Sequence, residues 1–374
     1  MHLRHLNCVN YRNIAECSLE LSPKFNCFLG DNGMGKTNLL DAIHFLSLTK
    51  SHLASTDALL VRHGEPFMMM EGLYESEGHD ERIEVTIKPK VKKQIKRNGK
   101  LYTRMADHIG LIPIVLISPI DQQIIADGSD ERRRFMDIVI SQCDVRYLSA
   151  LSRYNSLLKN RNELLRRISE GAAVEEELLD ILDSQMSVEA AYIYAKRADF
   201  IAKFVPFFDS AYSEICSSRE AVHLQYVSQL ERGELEPLLS ECRLRDKAIG
   251  YTTRGVHKDD LLLAIDGYPL KNTGSQGQTK SVVVAMKLAQ YQLLGQMRRV
   301  KPILLLDDVF DRLDSTRVGN IIRMVSRDDF GQIFITDTSR NHIDTLLHQT
   351  VNAPFSIFTV HDGVISENAS VQKS

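Results

Sequence analysis

The sequence contains little that would place it in a membrane, outside the cell or around a metal. No apolar run approaches the roughly 20 uncharged residues that a membrane helix needs, and the start MHLRHLNCVNYRN lacks the apolar block of a secretion signal. The chain is therefore expected to be soluble and cytoplasmic. Six cysteines (Cys8, Cys17, Cys27, Cys143, Cys216 and Cys242) are scattered, with no C-x-x-C pair and no histidine cluster at ligand spacing. They read as reduced thiols, neither a disulfide framework nor a metal site. An excess of one charge is missing too: the formal net charge is −3, so a nucleic-acid surface has to come from local asymmetry. Internal repeats and low-complexity tracts are absent.

What is present fits an ordinary globular protein of 374 residues, 43% hydrophobic and 25% charged. That length exceeds one average domain, so one large core and a smaller lobe are expected. Residues 2–9, 15–21 and 24–29 read as strands, and the spacing of Leu39, Leu40, Ile43 and Leu46 predicts a helix over 38–48. Residues 67–74, 82–87, 91–96 and 100–104 predict an antiparallel meander with Asn98-Gly99 as a tight turn, followed by a buried strand over 112–117. From 129 to 213 glycine and proline almost vanish and leucines recur at helical spacing, which predicts a helical arm turning near Gly171. Alternating strand and helix patterns return after Val222, and the polar last ten residues are expected to fray.

Gly30-Asp31-Asn32-Gly33-Met34-Gly35-Lys36-Thr37 fits G-x-x-x-x-G-K-[ST], between a predicted strand and a predicted helix. In such a loop backbone N–H groups converge on a β-phosphate, the helix N-terminus adds partial positive charge, the lysine neutralises the γ-phosphate region and the threonine ligates Mg²⁺. The competing reading is a glycine turn with a surface lysine. Ile303-Leu304-Leu305-Leu306 is a buried strand run ending in Asp307-Asp308. Asp307 is expected to hold Mg²⁺ through water and Asp308 to orient or deprotonate the attacking water; alternatively, both acids cap the next turn. Ser275-Gln276-Gly277-Gln278 opens a long amphipathic helix, 32 residues before Asp307. A serine hydroxyl, glycine N–H groups and a positive helix end then meet in one spot. An ordinary N-capped helix would look the same.

With Leu313-Asp314 just after the acids, this set resembles the ABC ATPases. In that family the serine segment faces ATP held by a second subunit, so the resemblance implies an active dimer. The interval from Lys36 to Asp307 holds a modest arm where structural-maintenance and Rad50-type ATPases hold a very long coiled coil. Asn10-Tyr11-Arg12-Asn13, Ile117-Ser118-Pro119, Gly128 with Arg132-Arg133-Arg134, and Gly255-Val256-His257-Lys258-Asp259-Asp260 are similar, in order, to landmarks of the RecF family. Ile120, Ser129-Asp130, Val256 and Lys258 depart from its usual residues, and the segment 334–338 lacks the switch histidine of transporter ATPases. The resemblance implies an α/β fold: an ABC-type phosphate-loop head over 1–120 and 221–374, with an antiparallel subdomain and an α-helical lobe inserted at 121–220. It also implies ATP and Mg²⁺ as ligands, ATP-dependent dimerisation on DNA, slow DNA-stimulated hydrolysis, and help in loading RecA at gaps with RecR and, indirectly, RecO. The alternatives are another DNA-repair ATPase of the wider class, a transporter subunit, and a clamp that binds ATP without turnover.

Between 88 and 104 there are eight lysines and arginines and no acid. Lys92, Lys93, Lys96 and Arg97 are candidates for following a phosphate backbone, with salt-sensitive, sequence-independent binding. A lysine-protected sheet edge is the competing reading. Arg132 and Arg133 are further DNA candidates, although Arg132–Arg134 point in three directions on a helix and at least one is expected to serve structure. Tyr11 and Arg12 are candidates for the adenine base or the ribose.

Overall fold

The run Phe25–Leu29 is buried on both faces, Asn26 being satisfied by the Ser22 backbone, as a parallel strand covered on both sides must be. In the computed structural model it lies inside a six-stranded sheet of order Val364–Val371, Phe355–His361, Phe25–Leu29, Ile333–Asp337, Ile303–Asp307, Ile114–Ile117. The last five are parallel and the first is antiparallel. All residues are described except 77, 173–175, 217–220, 312, 339–352 and 372–374, and the side chains of 369–371. The parallel register aligns Asp307 with Thr336 and Asp337 with Leu29, so Gly30, Asp308 and Asp337 leave the sheet at one edge. Ligands of open α/β sheets sit beyond that carboxyl edge.

A second six-stranded sheet is antiparallel, in the order Ile14–Glu20, His2–Tyr11, Met68–Ser76, His79–Ile87, Gln94–Arg97, Lys100–Leu101. The helix Lys36–Leu48 is buried through Leu39, Leu40, Ile43, Phe45 and Leu46, which share one core with Leu6 and Met70 of this sheet and Leu305 and Phe334 of the other. The expected strand over 100–104 shrinks to Lys100–Leu101 and a short turn of helix follows at Met105–Asp107. The expected frayed end is instead the strand Val364–Val371, because hairpin pairing with Phe355–His361 satisfies its backbone; residues 372–374 lie outside the described ones.

The compact units are Met1–Asp121, Ser210–Ser217 and Lys280–Ser374, and Gln122–Asp209 with Ser218–Thr279. The lobe is thus larger than the expected 121–220. Val222–Val227 pairs with Asp260–Ile265, and Arg132 of the helix Ser129–Cys143 bonds to Asp260, so this stretch folds with the arm. The arm itself is Val145–Ser169 and Glu176–Cys216, with a left-handed Gly171 in the turn. One of its charges lies inside: Arg161, fully buried, donates to Asp183 at 2.6 Å and Asp246 at 2.8 Å.

Candidate functional site

At the carboxyl edge of the parallel sheet the chain turns from Leu29 into the helix at Lys36 through a loop that needs glycine at positions 30 and 35. A Cβ on Gly30 would lie 2.3 Å from the Val360 carbonyl oxygen, and Gly35 has φ of 108° with the Asn13 side chain where its Cβ would be. No side chain caps the helix, so its first N–H groups and their dipole face outward as an anion cradle. Lys36 Nζ donates to the Gly30 and Asp31 carbonyls at 2.6 and 2.9 Å. Burial pulls its pKa down, opposed by Asp308, Asp307 and Asp337. An anion in the loop would replace two neutral acceptors with a charged one.

Thr37 and Asp307, which are 270 residues apart in sequence, meet here: Thr37 Oγ1 donates to Asp307 Oδ1 at 3.0 Å. Thr336 Oγ1 donates to the same oxygen at 2.7 Å and accepts from the Asp308 N–H at 3.1 Å. Burial raises the Asp307 carboxyl above its ordinary range. Asp308 is raised as well, by burial and then by Asp311 and Asp337. Asp308 also sits in left-handed backbone, φ 49°, a conformation that costs an L residue on the order of 1 kcal/mol and is common where a side chain must be aimed. Among the described residues no group of three or more His, Cys, Asp or Glu could hold a metal alone. A hydroxyl and a buried carboxyl needing countercharge do fit a hard cation, provided the bound ligand supplies further oxygens.

Three parts of this arrangement were not singled out by the motifs. Asn13 Nδ2 donates to the Met34 carbonyl at 3.2 Å and its Oδ1 accepts from Asn38 at 2.7 Å. The Gly363 N–H donates to the same Met34 carbonyl at 2.9 Å. Thr336 joins the two acids. Asn13 lay within a quoted landmark, but nothing local marks Gly363 or Thr336, since each acts across the sheet. Tyr11 is a correction: it is fully buried and its hydroxyl donates to Asp41 at 2.6 Å, so its ring faces the core and not a base. Arg12 lines a cleft of about 980 Å³ with Asn13, Gly33, Asn38 and Arg62.

Ser275 Oγ accepts from the Gln278 N–H at 3.2 Å and Gln278 Oε1 accepts from the Ser275 N–H at 2.8 Å, a reciprocal cap on the helix Gln276–Arg298. The N-cap reading therefore holds. The hydroxyl only accepts in that cap, and Ser275 and Gln276 are exposed.

The cationic candidates divide. Lys93 pairs with Asp57 at 3.1 Å and bonds to the Thr49 carbonyl, Arg97 pairs with Glu81, Arg132 with Asp260 at 2.6 Å, and Arg133 with Asp130 and the Asp259 carbonyl. Each of these four has an acceptor within the chain, with the Arg97 side chain still 41% exposed. Lys92 and Lys96 are exposed on the hairpin.

Residues 2–366 match the sequence profile described as the RecF/RecN/SMC N terminal domain. The chain is 47% identical over 368 residues to the DNA replication and repair protein RecF of Bacteroides fragilis, covering 98% of each. It is 47% identical over 373 residues to that of Bacteroides thetaiotaomicron, covering 100% of each. Among solved structures it is similar to the recombination mediator protein RecF bound to ATP in the RecFOR pathway, with TM-score 0.87, 30% identity and 98% of each chain covered. An SMC head domain from Pyrococcus furiosus, at TM-score 0.58 and 16% identity, shares the fold. The architecture is that of an ABC-type ATPase head, which supports ATP binding and hydrolysis.

Proposed function

We propose that this chain, which belongs to the RecF/RecN/SMC N terminal domain family, is an ATP-driven recombination mediator that dimerises on DNA and assists RecA loading in gap repair and replication-fork maintenance. It acts in the cytoplasm, with RecR as a direct partner and RecO and RecA as indirect ones. The observation that carries the reading is the Thr37–Asp307–Thr336 hydrogen-bonded set beside Lys36 and Asp308, in a chain matched end to end by RecF relatives.

The loop 30–35 binds phosphates through backbone N–H groups, and Lys36 exchanges its two carbonyl acceptors for the terminal phosphates. Thr37 and Asp307 hold Mg²⁺, which when bound neutralises phosphate charge and orients the transferring group. Arg12 contacts the nucleoside side of the ligand from its cleft. Asp308 orients water and takes its proton. A carboxyl raised by burial and by Asp311 and Asp337 is a better base than a free aspartate, so catalysis falls off at a higher pH on the acid side. Ser275 to Gln278 act on the nucleotide of a second subunit. Hydrolysis is slow and stimulated by DNA, because the partner must arrive before the site is complete. Exposed lysines on the hairpin, Lys92 and Lys96, follow the phosphate backbone.

Light scattering of the purified protein with ATP, with DNA and with both tests this directly. The expected result is a doubling of mass that needs ATP and is enhanced by DNA. A monomer under all three conditions, with ATP bound, would remove the dimeric mediator reading while leaving the nucleotide site.

A further inference from the structure

The strands His2–Tyr11 and Ile14–Glu20 form a hairpin whose register places Cys8 directly opposite Cys17. Residues facing each other across antiparallel strands have Cα atoms about 4.5–5.5 Å apart, within the span of about 4.4–6.8 Å that a disulfide bridges. Both cysteines are reduced thiols here. We propose that Cys8 and Cys17 are a reversible redox site, closing to a disulfide under a peroxide oxidant and stapling the hairpin that carries Arg12 and Asn13.

The two thiols are not equivalent. Cys8 is fully buried, whereas Cys17 retains 8% exposure on the strand at the edge of its sheet. The neighbouring Cys8 holds Cys17 below the ordinary thiol range, while Cys17 and burial push Cys8 up. Cys17 is thus the attacking thiolate. Its sulfur attacks a peroxide oxygen, the O–O bond breaks, and hydroxide leaves to be protonated to water, giving a sulfenic acid. Cys8 sulfur then attacks that sulfur; the S–S bond forms, the S–O bond breaks, and a second water leaves with the Cys8 proton. Two thiols lose two electrons and the peroxide gains them. Access is the limiting factor, so the reaction is slow compared with that of an exposed thiol. The product fixes the hairpin end whose Asn13 holds the Met34 carbonyl and Asn38 of the phosphate loop.

The folded full-length chain is exposed to hydrogen peroxide, blocked with N-ethylmaleimide, and mapped by mass spectrometry without reduction. The expected result is a linked pair of peptides containing Cys8 and Cys17, a loss of two of six titratable thiols, and recovery of both with dithiothreitol. The oxidised wild type is expected to melt a few degrees higher than the reduced protein because a short loop is closed, and Cys17→Ala is expected to show no such rise. The proposal is overturned if the link appears only in denaturant. It is equally overturned if the half-buried Cys143, Cys216 and Cys242 oxidise while Cys8 and Cys17 remain alkylatable after unfolding. None of these readouts depends on ATP turnover.

Discussion

Two regions of this molecule handle buried charge in opposite ways. In the arm unit, Arg161 is matched by Asp183 and Asp246, and Arg197 by Asp137, Asp259 and the Val256 carbonyl, all at hydrogen-bond distance. At the phosphate-loop site, Lys36 is held by neutral carbonyls and Asp307 by hydroxyls, while burial pulls Lys36 down and pushes Asp307 and Asp308 up. The first pattern pairs each arginine with carboxylates of the chain. The second leaves ionic groups under tension that a polyanion and a cation would relieve, so burial without matched countercharge separates a site from a strut.

The largest effect that bears on this contrast is in the arm. Arg161→Ala leaves the fully buried Asp246 without a countercharge and Asp183 with Arg243 alone, and is expected to cost about 3–5 kcal/mol in denaturant unfolding. A loss below about 1 kcal/mol would mean the centre is not a strut. Lys36→Ala should do the reverse: ATP binding disappears in a direct binding assay, while the nucleotide-free melting temperature stays level or rises. A collapse in stability would place Lys36 among the structural ions.

Asp308→Asn is expected to keep ATP binding and lower turnover by about 10²–10⁴-fold, the usual contribution of a general base, so that dimers accumulate. Turnover at the parental rate would take the base role from Asp308. The same variant carries a pH signature. Asp308 is raised in the folded state, so its stabilising contribution is complete below the unfolded pKa and is lost as pH rises through the folded one. At neutral pH the wild type therefore bears a cost that neutral Asn avoids. The variant's thermal gain should be present at pH 7 and shrink on acidification; a gain independent of pH would point to the left-handed backbone alone.

The smallest effect is on the hairpin. Replacing Lys92 and Lys96 by alanine is expected to reduce the slope of log DNA affinity against log salt by about 0.9 per lost phosphate contact. Lys93→Ala should leave the slope unchanged and lower the melting temperature slightly, since its partners are Asp57 and the Thr49 carbonyl. Equal slopes in all three proteins would return this hairpin to a protected sheet edge.

The phosphate loop, the Asp307-Asp308 strand end and the long serine-capped helix were legible because each is a local pattern: strand, glycine turn and helix in order, or an apolar run broken by acids. The helical arm followed from periodicity for the same reason. Their boundaries moved where long-range pairing outweighed local composition. Val364–Val371, polar enough to suggest fraying, is a strand because Phe355–His361 lies beside it. Similarly, a three-stranded sheet draws residues beyond 220 into the arm unit.

What the sequence determined by itself is therefore the inventory: which residues have the chemistry to hold phosphate, a cation and a proton, and on which kind of element each sits. Which cations are spent internally was decided only by the tertiary structure, because a charge's worth depends on the nearest acceptor. Nothing at positions 93, 97, 132 and 133 distinguishes them from their neighbours until Asp57, Glu81, Asp260 and the Asp259 carbonyl come within reach. The same holds for Thr336 and Gly363, which reach Asp307 and Met34 across a sheet, and for Tyr11, whose hydroxyl is claimed by Asp41 inside the core.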